Sequence, residues 1–228
     1  MDALIPVLVA LGCTGLVGLL VVLIVVSARR ERARQERIQR WAVHHGWTYT
    51  ARPDVRWEVQ LPGGHRHGVT LLVAGAVNGR HVSVAEYWYT TESSSTSTSA
   101  SGSRTTSTST TTHHLLIVAI RLPTAYPPLA VVPRGSLSRL GRKMFGDSKA
   151  ATGHDMFDRQ FRVQTKDPAV ARHLLGPALI GEHLAGRVPP WQVAGRDLLS
   201  CHVGGIRDPD QIPSLAMPLV RVAEMLGR

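Results

Sequence analysis

The sequence predicts an α+β protein: an N-terminal transmembrane helix, then one antiparallel-sheet domain with two or three helices. Three observations predict it. Residues 3–28 carry no charged side chain and are mostly Leu, Val, Ile, Ala and Gly; roughly 20 such residues, rising about 1.5 Å each, cross a bilayer's hydrocarbon core. Apolar and polar residues alternate on both sides of Asn78-Gly79, a dipeptide whose residues accept the positive φ that a two-residue hairpin turn needs. Helix starts of the form Asp-Pro come late, at Asp167-Pro168 and Asp208-Pro209, with Asp as N-cap and Pro at the first helical position. Hairpins followed by helices are the mark of α+β architecture rather than of alternating β-α-β units.

The apolar stretch is read as an uncleaved anchor, residues 1–28. A secretory signal peptide is the alternative, and Val26-Ser27-Ala28 has the small residues of a cleavage site. Against it, the apolar run is too long and no Lys or Arg precedes it. Arg29, Arg30, Arg32, Arg34, Arg37 and Arg40 follow at once. By the positive-inside rule this charge places the N-terminus outside and the rest in the cytoplasm, as a single-pass protein of the plasma membrane. Residues 29–46 form a basic juxtamembrane helix, with Ile38, Trp41, Ala42 and His45 at helical spacing and Gly46 as its stop.

Residues 47–228 are enough for one well-buried domain. Residues 47–50 read as a short strand, and residues 69–77 and 80–91 as the clearest hairpin. Residues 93–112 are Ser or Thr at all but Ala100, Gly102 and Arg104; such a tract buries no core and is expected to be a disordered insert. Residues 113–122 resume as a strand paired with 80–91, which makes the tract the tip of a long hairpin. Residues 129–132 and 157–164 read as further strands. Residues 191–203 read as a second hairpin around Gly195-Arg196-Asp197. The last helix runs through Leu215, Leu219, Val222 and Leu226, bent by Pro213 and Pro218.

The net charge is +10, from 26 basic and 16 acidic residues. A basic balance suits anionic lipid, an acidic protein or nucleic acid. Nucleic acid is disfavoured because the five Trp lie mainly in expected core strands and are not interleaved with the basic run of residues 134–149. Arg134, Arg139, Arg142 and Lys143 form the best functional patch in the domain, a contact for lipid headgroups or an acidic partner, set against a solvated loop. The two cysteines, Cys13 and Cys201, give no disulfide framework.

No catalytic, cofactor or metal motif emerges. His65-x-His67 and His113-His114 lack Cys, Asp or Glu at a zinc spacing. In Ser200-Cys201-His202, adjacent strand residues point to opposite faces, so Cys201 and His202 do not pair. Gly63-Gly64 and Gly204-Gly205 are followed by no Gly-Lys-Ser/Thr.

Arg40-Trp41-Ala42, Gly46-Trp47-Thr48-Tyr49, Tyr87-Trp88-Tyr89 and the spacing from Trp191 to Leu198-Leu199-Ser200 resemble those of uncharacterised actinobacterial single-pass membrane proteins carrying a domain of unknown function. The resemblance implies no activity and no site residues. The expectation is a membrane-anchored, non-enzymatic cytoplasmic domain that binds a protein, peptide or anionic lipid. The alternative is a membrane-tethered enzyme of hydrolase type whose site only the fold assembles.

Overall fold

The computed structural model describes the backbone of residues 4–63, 66–98, 104–134 and 150–226, and the side chains of these residues apart from 4–17, 95–98 and 104–105. The chain divides into two compact units, Met1–His45 and Gly46–Arg228.

The first unit is one helix, α1 (Leu4–His44). Its last turn is closed by the His45 N–H donating to the Trp41 carbonyl at 3.0 Å, with the two rings stacked at 4.5 Å. Gly46 follows at φ +71°, the left-handed conformation that ends helices. The expected transmembrane span is corrected here. Among the described residues no helix is long and apolar enough to cross a membrane. After Ala28 the helix carries six Arg with Glu31 and Glu36. The single-pass, plasma-membrane placement with a cytoplasmic domain rested on that span and goes with it.

The second unit is built on a six-stranded antiparallel sheet. Its strands are β1 (Thr48–Ala51), β2 (His67–Val77), β3 (Arg80–Thr98), β4 (Arg104–Pro133), β5 (Phe161–Thr165) and β6 (Trp191–Val203). β2 and β3 meet in the Asn78-Gly79 turn, where φ is 50° and 74°. β4 is the spine. It pairs with β3 from Ile120 back to Arg104 and with β5 from Leu129 to Pro133. β6 lies along it from Leu115 to Val131. The register with β6 shifts between Arg121 and Leu129, where Pro123, Pro127 and Pro128 remove ladder donors.

Alternation along the strands makes two buried faces. One carries Val69, Ala85, Tyr87, Tyr89, Ile117, Ala119 and Leu199, packed with Trp57 and Leu61. These two belong to a 3-10 turn (Arg56–Gln60) and the residue after it. The Tyr87 hydroxyl donates to the Pro62 carbonyl at 2.8 Å, which ties that segment down. The intervening residues Val82, Val84, Val118, Ile120 and Leu198 are buried on the other face.

Among the described residues four α-helices lie in this unit, where two or three were expected: α2 (Asp155–Gln160), α3 (Pro168–Leu174), α4 (Pro177–Leu184) and α5 (Ile212–Met225). Asp167 caps α3, its carboxylate accepting from the Ala169 N–H at 2.8 Å. Gly176-Pro177 separates α3 from α4. α5 packs against β2, β3, β4 and β6 through Ile212, Ala216, Leu219, Val220 and Val222. Arg221 of α5 and Arg187 both hold Glu182 of α4, at 2.9 and 2.8 Å.

Three local expectations change. Residues 157–164 are not one strand: His154 caps α2 and the chain becomes extended only at Phe161. Residues 191–203 are one strand, not a hairpin; Gly195 at φ +60° is absorbed as an irregularity against Tyr126. In the Ser/Thr tract, where a disordered insert was expected, 93–98 pair with 104–109 in unbroken register, with 99–103 outside the described residues. β-branched Thr favours extended backbone, and cross-strand Thr and Ser pairs add to it.

Candidate functional site

The most unusual element is the far end of the β3–β4 hairpin. β2 leaves β3 at His67↔Tyr89, and β6 leaves β4 at Leu115↔Val203. Two last backbone bonds close the sheet there, from the Thr90 N–H to the Arg66 carbonyl at 2.9 Å and from the Gly204 N–H to the His114 carbonyl at 3.0 Å. Tyr89 stacks on His113 at 4.8 Å, and His113 Nε2 lies 2.9 Å from Thr91 Oγ1. Beyond this base the pairs run from Thr91↔Thr111 to Thr98↔Arg104 with no shift of register. Among the described residues no third strand joins them. The two strands form an arm roughly 27 Å long at about 3.4 Å per residue. Glu92, Ser93, Ser94 and Thr106 to Thr112 are exposed on it.

The other edges of the sheet are different. β1 has four residues and runs into Arg52 at φ 47°. β6 has an irregularity at Gly195 and carries Asp197 bonded to Arg121 at 2.8 Å. Short, bulged or charged edges resist pairing with other chains. The arm has no proline, no register shift, and Glu92 and Arg104 as its charged residues.

The basic residues singled out from the sequence fall in separate places. Arg29, Arg30, Arg32, Arg37 and Arg40 are exposed on α1, and at about 100° per residue the six arginines spread over more than half of its circumference. Arg34 is held by Glu31 in two bonds of 2.7 and 2.9 Å. Hydrogen bonding to Arg34 keeps the Glu31 carboxyl below its ordinary pKa. Arg134 is exposed and donates through Nε to the Phe161 carbonyl at 3.2 Å. Arg139, Arg142 and Lys143 lie outside the described residues.

The triplet at 200–202 divides as its alternation demands. Cys201 packs on the Tyr87 and Leu199 side, where burial pushes its thiol up to about 12. A thiol with so little thiolate is a poor nucleophile. Ser200 and His202 share the other face, and Ser200 Oγ lies 3.2 Å from His202 Nε2. This serine–histidine contact was missed in the sequence, although the i, i+2 rule for strands signals it. Ser200 is only 1% exposed, so a substrate carbonyl has no approach to its oxygen in this conformation. Among the described residues no three His, Cys, Asp or Glu come together to hold a metal.

His183 of α4 is the second residue that sequence reasoning passed over. It is 2% exposed, and its Nε2 accepts from the Trp191 indole N–H at 2.8 Å. Phe157 and Phe161 meet its ring edge-on, with centroids at 5.6 and 5.0 Å. Accepting at Nε2 places the neutral ring's proton on Nδ1, which has no partner among the described residues. Burial pushes the imidazole down to about 4. The group is a neutral core histidine. Its only signal in the sequence is an apolar helix register, which does not name its partner.

The described residues define an antiparallel α+β domain with a projecting two-stranded hydroxyl-rich arm. No protein-family model matches the chain, and no curated protein sequence matches it. Among solved structures it is similar to the mycobacterial trehalose monomycolate transport factor A, TtfA, with a TM-score of 0.49 and 11% identity, covering 84% of this chain and 90% of that one. A likeness at that level carries no argument about what this chain does.

Proposed function

We propose that the unit Gly46–Arg228 is a non-enzymatic binding module, that its ligand is a protein or peptide, and that the arm is its contact element. One observation carries this reading. Both strands of the arm end their other pairings at the sheet's rim, yet continue together for eight residue pairs in unbroken register. Outward N–H and C=O groups along such a ribbon match an extended polypeptide, which binds by adding a strand. The arm's hydroxyls supply side-chain hydrogen bonds without fixing a charge on the partner.

The test is site-specific photocrosslinking in the native host. A photoreactive residue at Ser94 is compared with one at Met156, which is exposed on α2. The expected result is a discrete polypeptide adduct from position 94, competed by excess unlabelled chain and absent from position 156. Glu92→Pro with Thr108→Pro should remove it, since proline cannot donate to an added strand. Equal adducts at both positions, or an adduct indifferent to the two prolines, would refute the proposal.

A further inference from the structure

The arm's composition is unusual for an edge. Nearly every cross-strand pair sets hydroxyl against hydroxyl, as at Ser93↔Ser109 and Ser94↔Thr108, or hydroxyl against carboxylate, as at Glu92↔Thr110. The side chains of residues 92–94 and 106–112 are exposed. A two-stranded ribbon without a core is marginal in water, so it opens locally while the sheet behind it stays closed. Once open it is an extended, accessible run of Ser and Thr, the form that a protein kinase's active site takes up.

We propose that the exposed Ser and Thr hydroxyls of the arm are acceptors for phosphoryl transfer from a nucleoside triphosphate, and that the added charge parts the two strands. In the transfer the hydroxyl oxygen bonds to the γ-phosphorus and the bond from that phosphorus to the β–γ bridging oxygen breaks. The electron pair leaves with the nucleoside diphosphate, and the hydroxyl proton goes to the modifying enzyme's base. Each phosphoryl group adds about −1.5 to −2 charge. Directly opposite residues of an antiparallel pair lie about 5 Å apart, where like charges destabilise the pairing. A phosphoryl group on Thr110 faces the Glu92 carboxylate; groups on Ser94 and Thr108 face each other. Arg104 is the one Lys or Arg in the sequence from 91 to 111, too little to neutralise several such groups. The transfer itself does not depend on the arm's being the contact element. Its consequence does: opening the ribbon removes the paired edge to which a partner strand adds.

Trypsin cuts after Arg80, Arg104 and Arg121, so it separates the arm's two strands into different peptides. The protein is isolated from its native host with phosphatases inhibited, and both peptides are weighed. Phosphoryl mass increments on either peptide, removed by phosphatase, are the expected result. Unmodified peptides, or hexose increments instead, overturn the inference. The opening is read separately by amide exchange of the full chain. Ser94→Asp with Thr108→Asp should speed exchange of the arm's amides about fivefold, from one like-charge pair, and leave Val82 to Tyr87 unchanged. Ser94→Asn with Thr108→Asn should not. Equal exchange in the two variants overturns the charge mechanism. Failure of the photocrosslinking test with phosphoryl groups present refutes the contact role alone.

Discussion

Acid should unfold this protein through His183, and the size of the effect follows from its surroundings. The ring is nearly inaccessible, and Nε2, the nitrogen a second proton would take, is occupied by the Trp191 N–H. Burial holds its pKa at about 4 in place of the ordinary 6.5. Between these values the unfolded chain carries a proton here that the folded chain lacks. Stability rises with pH wherever the unfolded state binds more protons. The contribution is therefore fully present above pH 6.5 and is lost as pH falls toward 4, by about 3 kcal/mol at about 1.4 kcal/mol per pKa unit. His202 is shifted down by burial as well, so a variant must isolate the first effect. His183→Gln keeps an acceptor for the indole N–H and has no titration in this range. Urea unfolding followed by tryptophan fluorescence at pH 7 and pH 4 gives both stabilities. The variant is expected to be the weaker at pH 7, because it loses aromatic packing. Between pH 7 and 4 the wild type should lose about 3 kcal/mol more than the variant. Parallel stabilities across that range would refute the assignment of His183 as a neutral, desolvated core group.

Three further outcomes are expected. In Gly75→Ala the new Cβ would fall within 2.6 Å of the Trp47 ring; this overpacking should cost about 1–3 kcal/mol and lower the melting temperature by several degrees. Asp167→Ala removes the acceptor for the Ala169 N–H and should cost about 1 kcal/mol in urea unfolding, with Asp167→Asn retaining most of the stability. With its thiol raised to about 12, Cys201 in a Cys13→Ser background should react slowly with iodoacetamide at pH 8 while folded and at an ordinary thiol's rate in denaturing urea.

The elements legible in the sequence are those specified by neighbouring residues. Asn78-Gly79 announces its turn because both residues take up positive φ cheaply, and both do. Asp167-Pro168 announces a helix start because the carboxylate reaches a backbone N–H two residues on. The alternation on β3 announces two faces, and Tyr87 and Val84 lie on opposite ones. Tertiary structure decided the rest. Residues 191–203 look like a hairpin because Gly195-Arg196-Asp197 is a good local turn. They stay one strand because β4 pairs with both halves, Leu115–Ile120 with residues 198–203 and Leu129–Val131 with residues 191–193, and Asp197 meets Arg121 between them. Residues 157–160 have an alternating pattern, yet α2 forms because His154 caps it and Phe157 gains a buried place beside Phe161 and His183. The Ser/Thr tract has no apolar pattern to set its register. Its pairing is inherited from Tyr89↔His113 and the strand pairs behind it, and strand pairing joins residues that composition alone cannot associate. The same limit hid Ser200–His202 and His183–Trp191, whose meanings depend on burial and partners that only packing provides.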